Sequence, residues 1–172
     1  MSREMWPEQR PECRFLVDCM LGKLAKWLRI LGYDTTYYSL IADHELIRIA
    51  WNEKRILLTR DVRLTQRREV TRYLLIKSDD YREQLRQVVW HYRLDASSYL
   101  FTRCLQCNSP LQDIEKARVR PWVPPYVFQT QELFRICPSC QQIYWAGTHK
   151  TKMLHRLAKI LASHPLSSKE GE

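Results

Sequence analysis

The chain has 172 residues, of which 45% are hydrophobic and 27% charged, so it can hold one domain of ordinary size and a small second unit. Its apolar stretches are too short to cross a bilayer, and residues 1–12 lack the apolar run of a secretion signal, so we expect no membrane partner and a cytoplasmic location. The net charge of +9 favours a polyanionic partner, chiefly nucleic acid or an anionic membrane surface.

The first half of the chain alternates short apolar strands with amphipathic helices. Strands are predicted at 15–18, 34–38, 55–61 and 73–77, and helices begin near Lys23, Asp43, Val62 and Asp80. This alternation is typical of a parallel sheet with helices on both faces. Near-continuous apolar runs such as Ile56-Leu57-Leu58 suit strands that are buried on both faces. We therefore expect an α/β fold, with an open, doubly wound parallel sheet of four strands in the order 2-1-3-4.

The last 70 residues contain two CxxC pairs, which are separated by 29 residues. The four cysteines are Cys104, Cys107, Cys137 and Cys140. Each CxxC turn directs two sulfurs to one centre, which suits a tetrahedral Zn²⁺. The spacer is longer than the usual about 15–20 residues, which indicates an inserted loop. Two disulfides or four free thiols are the alternatives, and the lack of a secretion signal favours the metal.

These patterns predict two modules with separate stabilising centres. Residues 13–93 form the α/β domain, and residues 94–162 form a zinc-ribbon module that begins with a linker to residue 103. Residues 1–12 and 163–172 are expected to be disordered tails.

The zinc-ribbon module is expected to end in a basic helix over residues 149–161. The apolar residues at helical spacing predict its buried face. They are Leu154, Leu157, Ala158 and Leu161. Between the CxxC pairs, Pro121, Pro124 and Pro125 indicate an irregular loop.

Acidic residues follow the predicted strands at one edge of the sheet. The carboxyl ends of parallel strands meet at one edge, where ligands bind. The acids placed there directly, or at the start of the next helix, are Asp18, Asp43, Glu45, Asp61, Asp79 and Asp80. Asp34 begins a strand instead, so we expect it at the opposite edge.

Helix capping is the alternative explanation for each acid taken singly, because Asp is a preferred N-cap. Asp80 fits a capping role best, since Glu83 follows three residues later. Asp18 is a poor cap, because its predicted helix begins several residues later. Several carboxylates at one edge repel one another unless a cation neutralises them, and hard oxygen ligands suit Mg²⁺ or Mn²⁺.

Such a metal site could orient a water and stabilise displacement at a phosphodiester. Basic residues flank the acids and would attract the substrate backbone. They are Lys23, Arg60, Arg63, Arg67 and Arg68. A solvated basic helix face is the alternative explanation for these side chains.

Five segments together resemble the mut-seven C-terminal RNase domain family, a PIN-like nuclease fold fused to a zinc ribbon. They are FLVDCMLGKLAKWLRILGYDT, ADHEL, RILLTRD, RCLQCNSPL and ICPSCQQIYWAGTHKTKM. The resemblance spans about residues 14–160 and implies that the α/β domain at 13–93 is PIN-like and cleaves RNA with the help of a metal. By position, the family's acids match Asp18, Asp43 and Asp61, and the basic residues of its motifs match Lys23 and Arg60.

The fourth acid is open among Asp79, Asp80 and Glu45, and we take Asp79 as the candidate. The favoured function is a PIN-like endoribonuclease that uses Mg²⁺ or Mn²⁺, with the zinc ribbon and basic surface docking RNA. The alternative is a non-catalytic RNA-, ribosome- or protein-binding adaptor with a vestigial acidic site. The sequence leaves the RNA target and the oligomeric state open.

Overall fold

The structure is a computed structural model that describes residues 13–162, without the side chains of residues 148 and 149. The tails expected at 1–12 and 163–172 lie outside the described residues. The first half contains β1 (Arg14–Val17), α1 (Gly22–Ile30), β2 (Asp34–Tyr37), α2 (Asp43–Asn52), β3 (Ile56–Thr59), α3 (Val62–Thr65), β4 (Tyr73–Leu75) and α4 (Tyr81–His91). The second half contains β5 (Gln112–Ile114), α5 (Lys116–Val119), α6 (Pro125–Thr130), β6 (Phe134–Ile136), β7 (Ile143–Trp145) and α7 (Thr148–Ala162).

The first four strands form the expected parallel sheet. Its order is β2-β1-β3-β4, and all three strand pairs are parallel. Successive side chains of a strand point to opposite faces, and both faces of this sheet are apolar. Phe15 and Val17 contribute to one buried cluster, while Leu16 contributes to the other. The α/β, doubly wound prediction is therefore confirmed.

Helices cover the two faces in unequal layers. The face of Phe15 and Val17 packs against α1, α4 and α7, and the other face packs against α2 and α3. Helix α1 ends shortly before Gly32, as the sequence indicated. Gly32 adopts φ +90°, a conformation that favours glycine at the end of a helix, and a Cβ there would lie 2.1 Å from the carbonyl oxygen of Tyr99. Within residues 13–162, no helix has both the length and the apolarity that crossing a bilayer requires.

The C-terminal module is a small antiparallel sheet in the order β5-β6-β7. The insertion between the CxxC pairs is more regular than the prolines suggested. Pro125 stands at the start of α6, where its missing N–H costs nothing, and α5 and α6 pack over a separate cluster of Val119, Val123 and Phe134.

Helix α7 joins the core of the α/β domain. Leu157 and Ile160 are buried among side chains of α1 and α4, and the Arg86 guanidinium donates a hydrogen bond of 3.0 Å to the Ile160 carbonyl. The expected buried face was partly wrong: Leu154 is 37% exposed and Ala158 is also exposed. The side chains that fill the core are those at 153, 157, 160 and 161. The helix is therefore rotated about its axis relative to the expected orientation.

The segment expected to be a linker lies against the sheet domain. Leu94 is buried in the main core, the Phe101 N–H donates to the Ile30 carbonyl, and the Tyr33 hydroxyl donates to the Asp95 carbonyl. The two modules therefore share an extended contact, and the boundary at residues 93 and 94 stays a prediction.

Candidate active site and metal centre

The carboxyl edge of the sheet holds Asp18 and Asp61 on neighbouring strands. Asp18 directly follows β1, and Asp61 follows β3, which pairs with β1. Thr59, the last residue of β3, joins them. Its hydroxyl donates to Oδ2 of Asp18 at 2.6 Å and accepts from the backbone N–H of Asp61 at 3.0 Å. Thr59 is uncharged, so the pattern of acidic residues in the sequence does not include it. Its position between the two acids is seen only in the fold.

Asp18 is the single acidic side chain that is buried in the described part of the chain, with 7% of its surface exposed. Its Oδ1 accepts a hydrogen bond of 2.6 Å from the Cys19 N–H, so it does cap the short 3₁₀ turn Cys19–Leu21, contrary to the expectation from the sequence. No Lys, Arg or His forms an ion pair with it among residues 13–162. A buried carboxylate without a cationic partner is costly, so this position favours a positive ligand.

The other acids at this edge have partners of their own. Asp61 caps α3, because its Oδ1 accepts from the Arg63 and Leu64 N–H groups. Asp43, in the first turn of α2, forms an ion pair of 3.2 Å with Arg67.

Two of the three candidates for the fourth acid are also engaged. Glu45 pairs with Arg48 at 2.6 Å. Asp80 caps α4, and the backbone N–H of Arg82 lowers its pKa. Asp79 is exposed in the turn before α4. Among residues 13–162, no three of these carboxylates come close enough together to share one ion.

The predicted basic residues stand around the same edge. Lys23 lies at the start of α1, with its Nζ 5.7 Å from the ring centre of Tyr81 at the start of α4. Arg82 lies over the same ring at 4.9 Å. Arg60 is exposed between β3 and α3. Cations therefore surround the edge where phosphates would meet the acids.

Asp34 lies at the opposite edge, as expected, and has a structural role there. It pairs in register with Arg14, the first residue of β1. Its Oδ1 accepts hydrogen bonds of 2.7 Å from both Arg55 and Asn108. Burial alone would raise the pKa of Asp34, but these hydrogen bonds and the charges of Arg55 and Arg103 lower it to about 2.

Asn108 directly follows the first CxxC turn and connects the two modules. Its Oδ1 accepts from the Thr35 N–H at 2.9 Å, so it also pairs with the outer edge of β2. The left-handed backbone of Asn108, at φ 71°, allows this reach. A polar residue after a CxxC turn was the only signal in the sequence, and it did not indicate which strand Asn108 would meet.

The four predicted cysteines converge at one centre. Their Sγ atoms all lie within 4.8 Å of one another, with 3.5 Å between Cys104 and Cys140 and 3.3 Å between Cys107 and Cys137. Sulfurs at the corners of a tetrahedron with metal bonds of about 2.3 Å lie at similar separations. All four are free thiols rather than disulfides. The cluster can hold a metal such as zinc.

The ring of Tyr144 in β7 lies beside this cluster. Its hydroxyl accepts from the Leu105 N–H at 3.0 Å and lies 3.2 Å from the Sγ of Cys104. Burial raises the pKa of Tyr144, which keeps the hydroxyl proton available as a donor to that sulfur. Hydrogen bonds of this kind orient the ligands of metal sites.

Comparison with known proteins agrees with this geometry. A family model described as the Mut7-C RNAse domain matches residues 13–157, which is most of the chain and includes both modules. Neither the curated proteins nor the solved structures gave a match. The family match indicates a nuclease-like, RNA-related function.

Proposed function

The chain belongs to the Mut7-C RNAse domain family, and from this membership and its sheet edge we propose that it is a metal-dependent endoribonuclease. The observation that carries the proposal is the buried carboxylate of Asp18. It is the one buried acid of the described residues, it lies at the ligand-binding edge of a parallel sheet, and Thr59 joins it to Asp61.

Mg²⁺ or Mn²⁺ suits the donor set at this edge. Asp18 and Asp61 would hold the ion together with retained waters, because hard divalent cations prefer carboxylate and water oxygens. Asp43 and Asp79 would join them as further oxygen ligands only after their side chains move, since no three of these carboxylates meet in the structure of residues 13–162. When bound, such an ion supplies charge stabilisation at the phosphoryl oxygens and makes a coordinated water more acidic.

The protein's own side chains would bind the RNA and orient the reactants. Lys23 and Arg60 bind phosphate oxygens, where negative charge grows as water adds to phosphorus and the bond to one ribose oxygen breaks. Asp18 and Asp61 accept hydrogen bonds from the attacking water and direct it at the phosphorus. RNA phosphate also competes for Arg67, which frees Asp43 from its present ion pair.

The C-terminal module would dock the RNA. A zinc ion at the four cysteines would stabilise the ribbon fold, and the exposed cations of α7 would bind further phosphates. RNA is the proposed partner. A protein or ribosome partner and a cytoplasmic location stay predictions.

A cleavage assay with Mn²⁺ on single-stranded and structured RNA tests the activity. The double variant Asp18→Asn/Asp61→Asn should lose cleavage while keeping its fold, because the substitutions remove charge and preserve shape. Cleavage by the wild type that persists equally in the double variant would refute the proposal.

The non-catalytic adaptor remains the second candidate, and one observation favours it. Asp61 caps α3 and Asp43 is paired with Arg67, so both have structural roles that need no metal. If the protein is an adaptor, we expect it to bind RNA without cleaving it, and Asp18→Asn should leave its RNA affinity unchanged.

A further inference from the structure

A groove runs along the outer face of α2, from the neighbourhood of Asp43 to Lys54 past the end of the helix. It consists of two adjoining hollows of about 340 and 500 Å³, which share Ile47, Trp51, Glu69 and Thr71. Volumes of this size suit small ligands or single building blocks of a polymer. One wall is α2, and the other is the segment between α3 and β4.

The groove combines an apolar floor with one exposed aromatic side. Ile47 and Val70 are each 9% exposed and line the floor together with Ala50. Trp51 is 64% exposed beside them. An indole that is held on a helix with its surface open to solvent offers a stacking face for a planar ring, and nucleic-acid bases use such faces.

The rim of the groove is positively charged. It carries the exposed cations Arg48, Lys54, Arg68 and Arg72 against one exposed acid, Glu69. Arg48 is paired with Glu45 outside the groove. Within residues 13–162, Lys54 and Arg68 form no ion pair, so both are available to phosphate. A planar apolar platform beside unpaired cations matches the chemistry of a nucleotide.

The groove also leads to the candidate active site. At its upper end, His44 and Arg68 are the direct neighbours of Asp43 and Arg67, which form the ion pair at the sheet edge. At its lower end it reaches Lys54, past the end of α2. Helix α2 has ten residues, so the path is about 15 Å long.

We propose that this groove binds a single-stranded segment of RNA, with one base stacked on Trp51 and the flanking phosphates on Arg68 and Lys54. A base in a duplex is already stacked on its neighbours, so the Trp51 face selects unpaired nucleotides. The inference rests on the proposed function in that the groove would guide RNA to the acids, which makes the substrate class single-stranded RNA.

The experiment measures binding of a fluorescently labelled single-stranded RNA oligonucleotide to the full zinc-loaded chain, without added divalent ions so that cleavage does not interfere. Trp51→Ala should raise Kd about tenfold, and Trp51→Phe should retain most of the affinity because it keeps an aromatic face. Trp90→Ala is the matched control, since Trp90 is a 45% exposed tryptophan on α4, on the other face of the sheet. Its Kd should stay at the wild-type value.

Two further readouts test the two parts of the proposed interaction. A blunt RNA duplex of the same length should bind Trp51→Ala and wild type equally, because its bases are not open to stacking. Arg68→Gln should lower the slope of log affinity against log salt by about 0.7, the value for one phosphate bound on a single strand.

Equal affinity of Trp51→Ala and wild type for the single strand would overturn the inference, as would equal reductions in Trp51→Ala and Trp90→Ala. Failure of the groove proposal can be distinguished from failure of the proposed enzymatic function. Loss of binding in Trp51→Ala by a chain that shows no Mn²⁺-dependent cleavage supports the groove and refutes the enzyme. Cleavage that needs Asp18 but is indifferent to Trp51→Ala supports the enzyme and refutes the groove.

Discussion

The hydroxyl of Thr59 donates a hydrogen bond of 2.6 Å to the carboxylate of Asp18, and both side chains are buried. Cys19 also contacts this carboxylate: its backbone N–H donates to Oδ1 at 2.6 Å, and its side chain forms a further hydrogen bond with Asp18. The orientation of this carboxylate therefore depends on a threonine that follows an apolar strand and carries no charge.

Thr59→Val keeps the branched shape of the side chain and removes the hydroxyl. We expect the free energy of unfolding to fall by about 1–3 kcal/mol, because Asp18 loses a buried donor. Metal-dependent cleavage should fall about 10- to 100-fold, since the carboxylate is less well oriented. Urea unfolding and single-turnover cleavage measure the two effects. Thr65→Val is the control, because that hydroxyl bonds the Val62 carbonyl of its own helix, and equal cleavage by both variants would contradict the prediction.

Asp34→Asn should distinguish the structural role of the acid at one edge of the sheet from the proposed catalytic role of the acids at the other edge. The pKa of Asp34 is lowered to about 2, mainly by its hydrogen bonds to Arg55 and Asn108, so its contribution is full above about pH 4 and is lost as the pH falls towards 2. The free energy of unfolding of the variant should be about 2 kcal/mol lower than that of the wild type at neutral pH. Between about pH 4 and about pH 2 it should fall less steeply than that of the wild type, because the variant has no carboxylate to protonate there. Urea unfolding at a series of pH values measures this. Cleavage per folded molecule should stay near that of the wild type, and a loss like that of Asp61→Asn would refute the assignment of the acids.

Loss of the metal should affect both modules. The buried guanidinium of Arg29 donates hydrogen bonds of 3.0 Å to the carbonyls of Leu105 and Gln106 inside the first CxxC turn. Cys137→Ser or a strong chelator should therefore shift a single thermal transition of the whole chain to lower temperature. The two separate stabilising centres that the sequence predicts would instead give a ribbon that unfolds while the α/β domain stays folded.

Metal analysis of the wild type should give about one zinc per chain. Cys19→Ser is the control, because Cys19 is exposed and lies outside the cluster. Two separate unfolding transitions would restore the sequence-based expectation, and a Cys104–Cys107 disulfide without metal would refute the zinc site.

RNA affinity should fall steeply with salt, and part of the slope should come from α7. Lys150, Lys152 and Arg156 are exposed on this helix, away from its buried face. Replacing all three by Glu should weaken binding and lower the slope of log affinity against log salt by about 0.7 for each phosphate that the helix no longer binds. The charge-conserving variant Lys150→Arg/Lys152→Arg/Arg156→Lys should bind like the wild type. Unchanged binding in the Glu variant would confine the RNA to the α/β domain.

The sheet and the cysteine cluster could be predicted because their signals are local. The apolar run at 56–58 indicates a strand buried on both faces, and the CxxC spacing brings two sulfurs to one centre whatever surrounds it. Right-handed crossovers leave few strand orders, and the favoured order 2-1-3-4 is the one observed. The placement of Asp34 followed from its position at the start of a strand.

The residues that were missed act through tertiary contacts. Thr59 looks like an ordinary strand residue until β1 places Asp18 beside it. On α7, the apolar series through Leu154 and the series through Ile160 both fit helical spacing. Only the docking of α7 on α4 decides between them, and it buries Ile160.

The docking of α7 also has a consequence for synthesis of the chain. A nascent polypeptide that has emerged as far as His91 contains all four parallel strands, yet the layer of α1 and α4 still lacks Leu157 and Ile160. Its apolar surface stays open to solvent while about 70 further residues are translated, which takes several seconds at typical elongation rates. During that interval the unfinished domain is exposed to aggregation, and we expect chaperones to bind it until α7 arrives.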